Sequence, residues 1–201
     1  MTSAASAVKL IQTHHLRVFT TADFATLSKL AASAATHALR RLPRNNLTVQ
    51  IKRGIWVNAI AQNINPFEAV PYLRFPWPAY VSLYSALADF GVVSEIPQVI
   101  YAVSSATPKR YRTPIGSFHI HHLPEHLIWG YEVRRAGHET YPLADPEKAF
   151  LDLVYLALIP RSPIQLPHKR GKTWNLNIAK LKKYAARFDF KPLTEYVRRI
   201  L

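Results

Sequence analysis

The sequence predicts an α+β chain in two parts, on three observations. Between Thr20 and Val57 the apolar spacing changes from helical to alternating, so two helices run on into a hairpin. Between Asn58 and Pro78 four prolines interrupt any period, as a linker would. Between Asp145 and Leu158 a capped apolar helix follows several short strand-like segments. The expected division is residues 1–60, a linker at 61–75, and an α+β unit at 76–201 with a small, mostly antiparallel sheet and closing helices.

Residues 4–17, with Val8, Leu10, Ile11 and Leu16 apolar, read as the first helix. Thr20 or Thr21 can cap a second, whose Phe24, Leu27 and Leu30 recur at i, i+3 and i+6 and share one stripe. Ala31 and Ala32 allow close packing at the turn, and Ser33 offers another cap. The third helix buries Ala35, Ala38, Leu39 and Leu42, leaving Ser33, Thr36, His37, Arg40, Arg41 and Arg44 on the opposite stripe. Pro43 stops it, Asn45 and Asn46 suit a turn, and Leu47, Val49 and Ile51 alternate as a strand. Gly54 makes the next turn, with Lys52 and Arg53 at its tip, and Ile55, Trp56 and Val57 return. This is the sequence form of a winged helix-turn-helix at residues 1–60. Its exposed stripe is short and polar at the front and cationic at the end. A recognition helix needs that order, because its front meets base edges while its end passes phosphates. Ser33, Thr36, His37, Arg40, Arg41, Arg44, Lys52 and Arg53 are therefore the candidate DNA-contacting residues. A merely solvated cationic face is the plainer account of the same charges.

Composition sets the outer bounds. With 201 residues, 49% of them hydrophobic and 19% charged, the chain can bury a sizeable core. A formal charge of +14 favours a polyanionic partner, nucleic acid or an anionic surface. The excess is uneven: residues 1–60 hold eight Lys/Arg against one acid, 61–160 hold seven against nine, and 161–201 hold eleven against two, so both ends are basic and the middle is not. Cysteine is absent, which removes disulfides and thiolate zinc sites and suits a reducing cytoplasm. No apolar run reaches the length of a membrane span, and the first residues lack a signal-peptide pattern, so a cytoplasmic protein is expected.

Further along, a short helical turn is expected around Pro66 to Val70. Tyr80, Leu83, Leu87 and Phe90 recur at helical spacing before Gly91, and Val99, Tyr101 and Val103 alternate as a strand. A hairpin carries Lys109, Arg110 and Arg112, turns at Pro114 to Gly116, and returns with Phe118 and Ile120 alternating with His119 and His121. Those two histidines share a strand face, but no third ligand stands at a convincing spacing, so a polar face is expected and no metal site. Leu127 to Val133 and Thr140 to Leu143 supply further strand. Asp145 caps the next helix, Pro146 fills its first turn, and Glu147 complements the dipole. Asp145, Glu147 and Lys148 resemble a nuclease acid–lysine pattern, but the lysine directly follows the glutamate, and capping accounts for both acids. Residues 161–171 read as a basic loop, and helices near 176–187 and 191–201 close the chain with Lys180, Lys182, Lys183, Arg187, Arg198 and Arg199 on their outer faces.

These pieces together resemble the AbiEi antitoxin family, the transcriptional-regulator halves of type IV toxin-antitoxin systems. The matching segments are TTADFATL and HALRRL followed by IKRGIWV, then YVSLYSALADFG, GSFHIHHLP and ADPEKAFLDLVYL, which span most of residues 15–160. The resemblance implies a repressor that binds operator repeats in double-stranded DNA through the recognition helix at Ser33 to Arg44 and the wing at Lys52 to Gly54. It also implies a functional link to a nucleotidyltransferase-like toxin without a stable complex. Asn45–Asn46, Trp56 and the basic tail depart from the family pattern. The expected protein is a monomer or weak homodimer without catalysis, catalytic residues, metal or cofactor. The alternatives are a degenerate nuclease and a non-specific nucleic-acid binder.

Overall fold

A computed structural model of the chain describes residues 3–166 and 175–201. The first part runs α1 (Ala4–Thr13), β1 (Val18–Thr20), α2 (Thr21–Ser28), α3 (Ala32–Arg41), β2 (Thr48–Lys52) and β3 (Ile55–Asn58). Thr20 starts α2 through a reciprocal cap: its hydroxyl accepts from the Asp23 N–H at 3.0 Å, and the Asp23 carboxylate accepts from the Thr20 N–H at 2.7 Å. Lys29, in a left-handed conformation at φ 54°, ends α2 and turns the chain into α3. Ser33 does not cap α3 as expected. The extended residue before the helix is Ala31, so Ser33 already lies in the first turn, where its hydroxyl cannot reach back to the free N–H groups.

The three strands form an antiparallel sheet in the order β1-β3-β2, and their alternation feeds two cores. Phe19 and Trp56 pack with Ile11, Phe24, Ala35, Leu39 and Leu42 under the three helices. Val18, Ile51, Ile55 and Val57 point the other way and join Ala69, Val70 and Leu73. A sheet buried on both faces explains why Ile55, Trp56 and Val57 form an unbroken apolar run.

That second face corrects the expectation of a linker at 61–75. Residues Pro66–Ala69 form a 3-10 helix that continues as α4 (Val70–Arg74), with Ala69, Val70 and Leu73 fully buried. Pro66 and Pro71, read as breakers, stand in first turns, where the missing N–H has no partner to lose. Arg17 secures the segment: its Nε donates to Glu68 Oε2 at 2.8 Å and Nη2 to Oε1 at 2.9 Å, while Nη1 donates to the Gln62 carbonyl. A fragment 1–60 would bare Val18, Ile51, Ile55 and Val57. A fragment 1–75 is therefore expected to melt higher by about 10 °C or more. Equal midpoints in circular dichroism would show that the first part is stable without this cover.

The second part contains β4 (Ala79–Val81), α5 (Leu83–Asp89), β5 (Ile100–Ser104), β6 (Lys109–Thr113), β7 (Gly116–His122), β8 (Tyr131–Ala136), β9 (Glu139–Ala144), α6 (Pro146–Leu158), α7 (Ile178–Arg187) and α8 (Lys191–Ile200). One six-stranded sheet runs β6-β7-β5-β4-β9-β8. It is mixed, because β4 pairs with β9 and β5 with β7 in parallel, so the expected small, mostly antiparallel sheet is larger and less regular. Tyr80, expected on a helix, lies on β4. That strand is three fully buried residues, which leaves no alternation to read. The chain as a whole is α+β. No helix among the described residues is long and apolar enough to cross a membrane. Residues 167–171 of the basic loop expected at 161–171, with His168, Lys169 and Arg170, lie outside the described residues, as does Lys172 next to it.

Candidate nucleic-acid interface

Because Ala35, Ala38 and Leu39 anchor α3 to the helical core, its opposite side must face outward. His37, Arg40, Arg41 and Arg44 there line an open groove of about 940 Å³, closed on its flanks by Ser6 of α1 and Leu30. Ser33, His37, Arg40 and Arg44 are exposed. Asp23 is the single acid among residues 1–60, and the α2 cap engages its carboxylate, so no carboxylate of the first part opposes an anion at this groove. Arg40 and Arg41 also sit in the last turn of α3, where a cation offsets the helix dipole. Arg44 stands likewise in the last turn of the 3-10 helix Leu42–Asn45 that continues α3, but a dipole role does not require these cations to converge on one groove.

The other candidates separate from this cluster. Thr36 is half-buried, and its hydroxyl donates to the Ala32 carbonyl at 2.8 Å, so its proton is already engaged within α3. Lys52 does not stand free at the hairpin tip. The register of β2 against β3 shifts between Gln50 and Lys52, and the displaced side chain turns inward. Its Nζ donates to the Leu73 carbonyl at 2.9 Å and lies 5.9 Å from the Tyr111 ring centre. Arg53, the next residue, is exposed at the turn before Gly54, whose φ of 76° suits glycine. The hairpin is tied back to α2 by Trp56, whose Nε1 donates to Thr21 Oγ1 at 2.9 Å.

Asp145, Glu147 and Asp152 of the second part have structural partners. Asp145 accepts from the Lys148 N–H at 2.9 Å as the cap of α6. Glu147, although in the first turn, is buried. Its carboxylate accepts from the Asn177 N–H at 2.8 Å and pairs with Lys180 at 3.2 Å, which joins α6 to α7. Lys148 reaches inward, away from both. Its ammonium pairs with Asp152 one turn along α6 and donates to the Tyr80 hydroxyl at 2.9 Å, with the Trp129 and Phe188 ring centres each 4.9 Å away. Asp152 also accepts from Ser82 at 2.8 Å and Tyr80 at 3.1 Å. Burial pushes the Asp152 carboxyl up and the Lys148 ammonium down, and their mutual attraction opposes both shifts. Both side chains are sealed from solvent, so the cluster is a core fastening that no substrate can reach. Among the described residues no group of three or more His, Asp or Glu could hold a metal ion.

The chain matches no known family model and no curated protein. Its geometry and chemistry therefore carry the functional reading. The sequence reading missed Arg17, whose partner Glu68 lies 51 positions away. It also missed the Lys148–Asp152 pair, for which a signal existed: the two stand at i, i+4 on the apolar side of a helix, where charges survive only in pairs.

Proposed function

We propose that this chain is a sequence-specific repressor that binds double-stranded operator DNA through an N-terminal winged helix-turn-helix. The observation that carries the reading is the outward face of α3, where His37, Arg40, Arg41 and Arg44 meet around an open groove free of acids. The order α1, β1, α2, α3, β2, β3, with β3 central in the small sheet, supports it. On this reading α3 is the recognition helix, His37 reads base edges, Arg40 and Arg41 lie between bases and phosphates, and Arg44 and Arg53 hold phosphates. Ser33 donates from the first turn. Thr36 contributes less than His37 because its hydroxyl proton is engaged, and Lys52 positions the hairpin rather than touching DNA.

The resemblance to the AbiEi antitoxins extends the proposal. The protein is a cytoplasmic antitoxin of a type IV pair, represses its own operon at operator repeats, and acts as a monomer or weak homodimer. The second part counters a nucleotidyltransferase-like toxin without forming a stable complex with it. The protein uses no cofactor and performs no catalysis.

Selection of bound sequences from a random duplex library tests the core of this reading, with a single enriched motif expected. His37→Ala is then expected to cost about 1–3 kcal/mol on that motif and much less on scrambled duplex, with Thr36→Ala giving a smaller change. A ratio of selected to scrambled affinity near one would leave only non-specific binding.

A further inference from the structure

The six-stranded sheet ends at β6, and one face of that end is chemically unlike the rest of the molecule. Register sets Arg110 of β6, His119 of β7 and Tyr101 of β5 side by side across three strands. His121, two residues along β7, stands nearly parallel to Tyr101, with ring centres 6.1 Å apart and 16° between planes. His119 meets Tyr101 edge-on at 5.8 Å. Arg112 shares the Arg110 side of β6 by alternation. Arg161, just after α6, joins Arg110, His119 and His121 around an adjoining cleft of about 460 Å³. No carboxylate lines that cleft, and Arg110, Arg112 and Arg161 have no acidic partner among the described residues. The Nε2 of His121 is buried beneath this face and has no hydrogen-bond partner.

Charge on an edge strand also discourages pairing with another sheet. That role needs no aromatic row beside the arginines. Burial, with Arg110 and its neighbours, lowers both imidazoles, His121 to about 4, so both rings are neutral at pH 7. Neutral rings offer stacking faces and hydrogen-bonding edges, while the permanent charge around them belongs to the arginines. This is the pairing of aromatic floor and cationic rim that holds a nucleic-acid strand whose bases are free to stack. A duplex keeps its bases inside and cannot use such a floor. Extended unpaired stretches are the ordinary state of RNA rather than DNA, and a ribose 2′-hydroxyl, both donor and acceptor, can pair with the half-buried His119 ring in either tautomer.

We propose that this sheet end is a second nucleic-acid site, separate from α3, which takes an unpaired stretch of RNA with bases against Tyr101, His119 and His121 and phosphates on Arg110, Arg112 and Arg161.

The test uses the full chain with fluorescein-labelled eight-nucleotide RNAs of mixed sequence, the same sequences as single-stranded DNA, and a random DNA duplex, all read by anisotropy. Wild type is expected to bind the RNA at least fivefold more tightly than the matching DNA. The exposed double variant Arg110→Glu/Arg112→Glu should weaken RNA binding at least tenfold, and Tyr101→Leu, which keeps bulk and removes the stacking ring, at least threefold. Both should leave duplex binding unchanged. An Arg40→Glu/Arg44→Glu variant should show the reverse pattern. RNA containing 4-thiouridine, crosslinked by light and mapped by mass spectrometry, should mark the peptides of β5 and β7. Absent RNA binding, equal affinity for RNA and single-stranded DNA, equal loss on duplex, or loss of RNA binding in the α3 variant alone would each overturn the proposal. Duplex binding that fails while RNA binding holds would instead count against the repressor reading only.

Discussion

Replacing Asp152 by asparagine is expected to lower stability by about 3–5 kcal/mol, a large share of what holds a domain of this size together. The asparagine keeps the shape but removes the charge that neutralises Lys148, whose side chain has no exposure at all. The ammonium is then left among the rings of Tyr80, Trp129 and Phe188, whose faces attract a cation but do not replace a carboxylate. Lys148→Met should cost a similar amount, because the Asp152 carboxylate keeps only the Ser82 and Tyr80 hydroxyls. The double variant Lys148→Met/Asp152→Leu removes both charges and should recover much of the loss, less what the two abandoned hydroxyls cost. Gly130 adds a check: a Cβ there would come within 2.9 Å of the Lys148 side chain, and its φ of 71° strains other residues, so Gly130→Ala should also destabilise. Urea unfolding of the four variants measures this. Losses below about 1 kcal/mol in both single variants would mean that the pair fastens nothing.

Removing Arg40 and Arg44 together should reduce affinity for every duplex, selected or scrambled. In the proposed reading Arg44 holds phosphate and Arg40 reaches phosphate from beside the bases, and each phosphate contact contributes about 0.9 to the slope of log affinity against log salt. Arg40→Ala/Arg44→Ala should therefore flatten that slope by about two and weaken binding roughly 60-fold at 0.1 M salt. Arg53→Ala should flatten it by about one more. Lys52→Ala is the internal control. Its ammonium is held on the Leu73 carbonyl, so its loss should leave the slope unchanged and instead loosen the seat of the hairpin on α4. Titrations at several salt concentrations decide between the two lysine roles. A slope unaffected by the arginine pair would remove α3 from the interface.

The comparison of Lys52 with Arg53 shows where reading a sequence stops. Adjacent cations at a hairpin turn look equivalent in one dimension, and a single register shift in β2 sends them to opposite surroundings. Thr36 and His37 behave alike in this respect: both belong to the polar stripe, but only the structure shows the Thr36 hydroxyl engaged by its own helix.

What the sequence determined by itself was local and periodic. The Thr20 cap of α2, the buried Ala35, Ala38 and Leu39 of α3, the Asp145 and Pro146 start of α6, and the left-handed stop at Gly91 all follow from interactions within one turn, which neighbouring residues suffice to specify, whereas of the expected stripe Phe24, Leu27 and Leu30 only Phe24 is buried, because α2 ends at Ser28. Tertiary structure decided the rest. Whether residues 61–75 link or pack depended on the second face of the small sheet, and whether Tyr80 was helix or strand depended on partners at Val103 and the α6 carboxylate. The cationic face of α3 was legible because a helix buried on one side must present the other. The row of Tyr101, His119 and Arg110 was not, since three strands from separate segments make it only after they pair in register.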